Sequence, residues 1–354
     1  MKSIQILSKG HAQVVTDAPL PSLPPSDYIL VKVIAVALNP TDWKHIERVD
    51  SKATVGCDFA GIVEEVGPNP SKSFQKGDRV AGFVHGSHTL RPDNGAFAEY
   101  VYAKPGLVLK IPDSMSFEEA AGLGVAVNTV GQGMYQEMKL PWPDKPLKEK
   151  KQILIYGGSS GMGAVGIQFA KLSGFEVLTT CSPRNFDYVK SLGADHVFDA
   201  YDPDVGKKIR EFTNNKLYYV WDCVGENGSI EQSGDALATE APPGQEVRYG
   251  NILNPEAKQR DGVICTWSVG YSALGEEWAI GWKGGRETVP GKPEHYEWSS
   301  KWVDFVEQLL KDGKFKPHRQ DVRGGGLNGV LDGLKEMKEG KVSGHKLVYR
   351  IAEP

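Results

Sequence analysis

A short apolar run that ends in glycines and restarts as a helix constrains this chain of 354 residues more than any other feature. In QILIYGGSSGMGAVG (152–166), Ile153, Leu154, Ile155 and Tyr156 read as a buried parallel strand, and Gly161, Gly163 and Gly166 give G-x-G-x-x-G. The first glycine is expected to permit a tight turn, the second to let a pyrophosphate approach the backbone, and the third to let the helix pack on the strand. The N–H groups at the helix start then face the phosphates. Val165, Ile167, Phe169, Ala170 and Leu172 supply an apolar helical face that stops at Gly174, and Glu176–Thr180 reads as the next strand. With strand, turn, helix and strand all in place, the pattern predicts a dinucleotide site over a plain chain reversal.

The end of that second strand is where a carboxylate would hold the ribose hydroxyls of NAD. Here stand Cys181, Ser182, Pro183, Arg184 and Asn185. A hydroxyl, a guanidinium and an amide, with no carboxylate to repel a 2′-phosphate, predict a pocket for NADPH, unless Arg184 is merely a surface loop residue. The chain's length predicts two domains, and a net charge of −4 argues against a general nucleic-acid binder. No apolar run reaches 18 residues and MKSIQILSKG lacks a signal-peptide core, so a cytoplasmic address is expected. Cys57, Cys181, Cys223 and Cys265 are widely spaced and read as reduced thiols.

Residues 1–125 are punctuated by Gly and Pro and carry short β-rich runs at 28–38, 59–67, 78–84 and 96–103, the pattern of a partly closed barrel. From 126 helices alternate with strands (196–199, 217–225, 246–252 and 262–267), the pattern of a doubly wound parallel sheet over 126–312. LPWPDKPLKEKK (140–151) bridges into the first strand of that sheet. Residues 313–354 are expected to return to the first domain. The overall class is therefore α/β.

NPTDWK (39–44), VGCDFAGIVEEVG (55–67), KGDRVAGF (76–83), GAFAEY (95–100), the glycine fingerprint, KSLGADHVFD (190–199) and GKVSGHKLVYRI (340–351) occur in this order along the chain. That order resembles the medium-chain dehydrogenase/reductases over nearly the whole sequence. The resemblance implies a GroES-like catalytic domain split around a Rossmann domain, with substrate in the cleft between them. Zinc alcohol dehydrogenases place Cys where this chain has Asn39, and G-H-E where it has Gly56, Cys57 and Asp58; their four-cysteine lobe is missing between 85 and 100. A catalytic zinc needs three protein ligands. Cys57 and Asp58 alone do not suffice, and His85 and His88 read as a solvated loop pair, so no metal is expected. Hydride addition to a carbon–carbon double bond conjugated to a carbonyl is then the expected chemistry.

YGGSS followed by TTCSPRNFDYVK, NTVGQGMYQEM (128–138), CTWSVG (265–270) and a Trp- and Gly-rich insert at 270–298 look like the trans-acting enoyl reductases of fungal polyketide synthases, the lovastatin enoyl reductase type. The resemblance implies NADPH and an α,β-unsaturated thioester on an acyl carrier protein. It puts Pro40, Thr41, Asp42 and Trp43 beside the nicotinamide, and Ser159, Ser160, Gly161, Met162 and Gly163 on the pyrophosphate. Ser182, Pro183, Arg184 and Asn185 fall to the 2′-phosphate, and Tyr201 to the adenine side. Asn251, Ile252, Leu253 and Asn254, with Val342 and Ser343, close over the nicotinamide. Thr129, Val130, Gly131, Gln132, Gly133, Met134, Tyr135 and Gln136, with Gly270, Tyr271, Ser272, Ala273 and Leu274, line the acyl pocket.

Lys44 and Thr129 are candidate donors to the thioester oxygen, with Thr41 near the cofactor. Lys44 reads equally as a solvated helix lysine, and Thr129 as a satisfied helix hydroxyl. The α-carbon proton could come from water. Lys44, His45, Arg48 and Lys52 are expected to form a basic rim for an acidic carrier protein. The 270–298 insert is expected to cover a sheet edge and keep the chain monomeric. A free-standing quinone or alkenal reductase acting on a small enone stays open as an alternative, as does a non-catalytic NADPH-binding protein.

Overall fold

The computed structural model describes residues 1–21, 27–50, 52–280 and 287–354. They form two compact units, Met1–Asn128 together with Tyr271–Pro354, and Thr129–Gly270. No helix among the described residues is long and apolar enough to cross a membrane.

The Thr129–Gly270 unit is built on six parallel strands in the spatial order His196–Asp199, Glu176–Cys181, Gln152–Tyr156, Tyr219–Asp222, Val247–Asn251 and Val263–Trp267. Numbered along the chain this is 3-2-1-4-5-6, so the strand order reverses beside Gln152–Tyr156, the place where doubly wound sheets bind ligands. Ile153, Leu154 and Ile155 are fully buried because helices cover both faces of a parallel sheet. The helix Gly161–Leu172 buries every residue from Gly163 to Ala170. It lies so close to the sheet that a Cβ on Gly166 would come 2.6 Å from the Trp221 ring and 3.7 Å from Ile155.

In the other unit the long strand Ile29–Ala37 is the organising element. It pairs antiparallel with Asp58–Val66, Tyr100–Ala103 and Lys346–Arg350. Arg79–Phe83 and Val108–Lys110 extend the sheet on one side, and Gln320–Arg323 beyond Lys346–Arg350 on the other. Register shifts at Leu30/Val31 and Val33/Ala35 bend the long strand, as curvature towards a barrel requires. A three-stranded sheet of His11–Val15, Ser3–Ser8 and Ala53–Thr54 completes it. Ile4, Ile6, Val33, Phe59, Phe97 and Leu347 fill the core between them.

The return to the barrel unit comes at Tyr271, not at 313 as the sequence pattern predicts. The helix Pro293–Lys311 accounts for the difference. Its Trp302 donates to the carbonyl of Val127 at 2.9 Å, and its Glu307 accepts from the amide of Lys110 at 2.9 Å and from the Lys72 ammonium at 2.7 Å. Its apolar face therefore belongs to the barrel, although its periodicity alone fits either unit. Within the 270–298 insert, Trp278–Ile280 and Glu287–Val289 pair antiparallel. Residues 281–286, the centre of the segment expected to cover a sheet edge, lie outside the described residues.

Replacing Gly166 by Ala inserts a methyl group where no space exists, and overpacking a buried contact costs about 1–3 kcal/mol. The expected outcome is a lower urea midpoint with an unchanged m-value, while the same substitution at Gly313, where a Cβ meets nothing within 4 Å, acts only through its backbone angle.

Candidate functional sites

In the Rossmann unit the strand Gln152–Tyr156 ends at Gly157, whose φ of +80° makes the sharp turn. The turn glycine is thus Gly157 and not Gly161, which is already the first residue of the helix. Thr180 on the neighbouring strand draws this loop inwards, its hydroxyl accepting from the amide of Gly157 at 3.0 Å and its carbonyl from that of Gly158 at 2.9 Å. A Cβ at Gly158 would sit 2.0 Å from the Thr179 hydroxyl, and one at Gly163 would sit 2.3 Å from the carbonyl oxygen of Gly157. Ser160 caps the helix by accepting from the amide of Gly163 at 3.0 Å. The amides of Gly161 and Met162 have no intrahelical carbonyl to reach, and they stand at the positive end of a twelve-residue helix. This cradle, tight enough that only glycine fits, suits the pyrophosphate of a dinucleotide.

Beyond the second strand, Ser182 is half-buried and Arg184 exposed, while Asn185 is 1% exposed and donates to the Ser182 hydroxyl at 3.0 Å. Asn185 therefore orients Ser182, with its own side chain turned inwards. Tyr201 is 75% exposed. Asn251 folds its strand end by accepting from the amides of Leu253 and Asn254 at 3.1 and 2.8 Å. A group missed in the sequence is Asp222, buried at the end of Tyr219–Asp222. It accepts from the Ser229 and Tyr249 hydroxyls at 2.7 and 3.0 Å and from the amides of Val224 and Gly225 at 2.9 and 3.0 Å. WDCVG contains it, but nothing local reveals that Tyr249 comes back to meet it.

Thr129 is half-buried near the end of the helix Leu123–Val130, and the backbone then widens into a π-helix over Gly131–Glu137. Such widened turns are frequent at functional sites. Residues 131–136 are all buried. The Tyr135 hydroxyl lies 3.1 Å from the Phe169 carbonyl and 2.8 Å from the Ser173 hydroxyl, so this side chain packs against the fingerprint helix. Gly133 lies against Trp221 and Met138 against Gly250.

In the barrel unit Asn39 caps the helix Pro40–Ile46, and its own amide donates to Asp42 at 2.7 Å. Asp42 is thus turned inwards. Pro40 is exposed, and Thr41, Trp43 and Lys44 are half-buried, the Lys44 ammonium 5.7 Å from the centre of the Trp43 ring. Behind this helix lies a charged knot that the sequence does not reveal. The ammonium of Lys346, 7% exposed, is 2.5 Å from Asn39 Oδ1 and 3.2 Å from Asp58 Oδ2. Asn39 Nδ2 donates to the same Asp58 oxygen at 2.8 Å, and the Val125 amide to the other at 2.7 Å. Burial, with Asp58 nearby, pushes the Asp42 carboxyl up to about 7. Val342 and Ser343, the other residues expected at the nicotinamide, are half-buried and precede Lys346 by four and three positions.

Beside the knot is a buried aromatic cluster. Tyr271 stacks on His85 with ring centres 3.7 Å apart and planes at 11°, His85 meets His88 at 4.2 Å, and His45 lies 5.7 Å from Tyr271. The Tyr271 hydroxyl is 2.9 Å from Thr41 Oγ1, 3.4 Å from His45 Nε2 and 3.9 Å from Cys57 Sγ. His85 and His88 are each 5% exposed, which corrects the reading of a solvated pair. His45 is buried as well and stands outside the expected basic rim, leaving Arg48 and Lys52 exposed. Among the described residues no group of three His, Cys, Asp or Glu side chains is arranged to hold a metal ion. Ala273 and Leu274 are buried, and Gly270 and Ser272 half-buried.

Burial lowers the His45 and His88 pKa values from 6.5 to about 4, with Arg48 and Arg91 respectively adding repulsion, and holds His85 well below its ordinary value. The unfolded chain binds these protons below pH 6.5 while the folded chain refuses them, so stability is lost as pH falls from about 6.5 to about 4. Each of His45 and His88 contributes roughly 3 kcal/mol to that loss. Urea titrations at pH 7.5, 6, 5 and 4 are expected to give a falling midpoint, with a shallower fall in His88→Gln.

Residues 25–113 match the model of the alcohol dehydrogenase GroES-like domain, and residues 161–260 that of the zinc-binding dehydrogenases. A trans-enoyl reductase of Aspergillus sclerotiorum, resD, is 43% identical over 99% of this chain and 100% of its own. ACTTS2 of Alternaria alternata, also a trans-enoyl reductase, is 41% identical over 99% and 98%, and TOXD of Cochliobolus carbonum, another, is 46% identical over 78% and 91%. Among solved structures, the CurK enoyl reductase superposes with a TM-score of 0.77 at 19% identity over 99% of both chains, and the quinone oxidoreductase of Coxiella burnetii with 0.70 at 23% over 99% of both. At these identities the structural likeness is one of fold. With two-fifths of its residues identical along the whole length of resD, the chain belongs to the trans-enoyl reductase family, within the medium-chain dehydrogenase/reductases.

Proposed function

We propose that this enzyme uses NADPH to reduce an α,β-unsaturated thioester presented on the acyl carrier protein of a polyketide synthase, and that it does so without a metal. The observation that carries the cofactor half of the reading is the glycine cradle from Gly157 to Gly163, closed by Thr180 and capped by Ser160. Arg184 stands exposed beside Ser182, with no carboxylate among residues 182–185, which favours the 2′-phosphate of NADPH over the bare ribose of NADH. When bound, NADPH would supply the hydride that the β-carbon of the substrate receives. The chain's own part is to orient the acyl group and to meet the charge that develops on the thioester oxygen.

Lys44 and Thr129 take that second role in this reading. Lys44 is the stronger candidate because its ammonium is held near the Trp43 ring on a helix fixed at its start by the Asn39 cap. Asn39, Cys57 and Asp58 replace the ligands of the zinc alcohol dehydrogenases, and the oxygens of Asn39 and Asp58 bond to Lys346, which supports metal-free chemistry. The exposed Arg48 and Lys52 suit an acidic carrier protein, and the names of the relatives favour the enoyl thioester over a free enone.

The test is reduction of an enoyl pantetheine thioester followed at 340 nm with either coenzyme. NADPH is expected to give a kcat/KM at least tenfold above that of NADH. Arg184→Ala is expected to raise the KM for NADPH about tenfold, equivalent to ~1.4 kcal/mol, and to leave that for NADH unchanged. Lys44→Met is expected to lower kcat tenfold or more at constant NADPH affinity, as loss of a donor used only in the transition state requires. Equal use of both coenzymes by the unaltered enzyme overturns the NADPH reading, and dependence of turnover on bound zinc overturns the metal-free one.

A further inference from the structure

Reduction of a conjugated double bond needs a proton as well as a hydride. A carbanion at the α-carbon of a thioester is a strong base, but protonation from bulk water takes place on whichever face water reaches. Among the described residues of the barrel unit, Tyr271 has a hydroxyl that the reading above leaves without a task. Its ring is held flat on His85 and flanked by Phe83 and Trp278, at centre distances of 5.9 and 5.8 Å. The segment that carries it is pinned a few residues on by Glu276, which accepts from Tyr28 at 2.8 Å and pairs with Arg91 at 2.6 Å and Lys104 at 2.7 Å. Lys104 also donates to the Leu274 carbonyl at 3.0 Å. So fixed, the Tyr271 hydroxyl has one short contact, 2.9 Å to Thr41 Oγ1. Tyr271 is 8% exposed, whereas Thr41 is half-buried and so forms the outward end of the pair.

We propose that Tyr271 supplies, through the Thr41 hydroxyl, the proton that completes reduction at the α-carbon. The proposal rests on the enoyl reductase reading and assigns the proton source within it. Once the β-carbon has received hydride with its electron pair, the former double-bond pair resides on the α-carbon and thioester oxygen. The α-carbon forms its new C–H bond with the Thr41 proton, while the Tyr271 proton passes to Thr41 Oγ1. The phenolate left behind accepts from His45 Nε2–H, 3.4 Å away, in the neutral tautomer that burial favours. It regains a proton from solvent along the same path after product leaves. Burial, with Cys57 and Asp42 nearby, raises the Tyr271 pKa, so the donor is protonated throughout the working range. The α C–H of a saturated thioester holds its proton more tightly still, so the transfer runs downhill.

Tyr271→Phe keeps the ring and its stack and removes the oxygen alone. Reactions run in D2O with an enoyl pantetheine thioester and NADPH read both rate and stereochemistry, because the face that receives deuterium at the α-carbon is recorded in the product. The unaltered enzyme is expected to label one face. Tyr271→Phe is expected to turn over ten- to a hundredfold more slowly and to label both faces, at unchanged NADPH affinity. Thr41→Val is expected to lose rate and facial selectivity to the same extent, the double variant to be no slower than Thr41→Val alone, and Thr41→Ser to recover the rate and the single face. Wild-type rate and labelling in Tyr271→Phe overturn the proposal. Slower turnover with single-face labelling overturns it too, since packing alone would then account for Tyr271. Failure of the unaltered enzyme to reduce the thioester overturns the reductase reading itself, and this role with it.

Discussion

The buried ammonium of Lys346 is the interaction on which the barrel unit most depends. It gathers the cap of the helix Pro40–Ile46, the first residue of the strand Asp58–Val66 and the final strand, with the Val125 amide joined through Asp58. These segments are separated by up to about three hundred residues of chain, so their meeting closes very long loops. A buried ion pair adds little net stability against an apolar replacement of the same shape, but removing one partner strands the other charge at a cost of about 3–5 kcal/mol. The pair therefore acts through exclusivity. Any arrangement that separates the Asn39 turn from the last strand leaves a lysine or an aspartate in the core without its counter-charge. That constraint is what sets the Asn39 cap, and through it Thr41, Trp43 and Lys44, in one conformation.

The two units build their candidate sites by opposite means. In the Rossmann unit the surface is backbone, exposed by side chains that are missing: Gly157, Gly158 and Gly163 let a loop lie against two strands and leave helical amides without intramolecular partners. In the barrel unit the surface rests on side chains stacked into one another, Tyr271 on His85 and His85 on His88, over a charged knot. The first can be read by any ligand of fixed phosphate geometry. The second is particular to its own hydroxyls, the Tyr271 and Thr41 oxygens 2.9 Å apart.

This contrast explains what the sequence could and could not tell. The Rossmann sheet was legible because each strand and helix is written locally, in apolar runs closed by Gly174 or opened by Ser160. The strand at 196–199 falls where the sequence pattern puts it. The glycine loop and the helix it opens were legible for the same reason, apart from the turn glycine, which is Gly157 because the positive φ falls at the strand end and not at the helix start. Contacts between distant segments were not legible. HGSH looks like a solvated loop until Tyr271, nearly two hundred residues later, covers it. Lys346 looks like one more lysine near the end of the chain until Asn39 and Asp58 are seen to surround it. The helix Pro293–Lys311 has a periodicity that fits either unit, and only the partners of Trp302 and Glu307 decide between them.

Three imidazoles and a phenol buried together have a physical consequence of their own. Charging any of the histidines in so dry a site is penalised by desolvation and by the others, so the cluster stays neutral near pH 7. A neutral cluster neither attracts nor repels a carboxylate, phosphate or carrier protein. What it offers instead is direction: the His45 N–H and the Tyr271 O–H, and a stack that keeps the phenol aimed. The proposed chemistry at a thioester suits such a neutral cluster, since a fixed cation beside the α-carbon would draw the developing charge away from the thioester oxygen. The proposed reaction accordingly keeps electrostatic stabilisation and proton delivery on different side chains of the Pro40–Ile46 helix, Lys44 for the first and Thr41 near its start for the second.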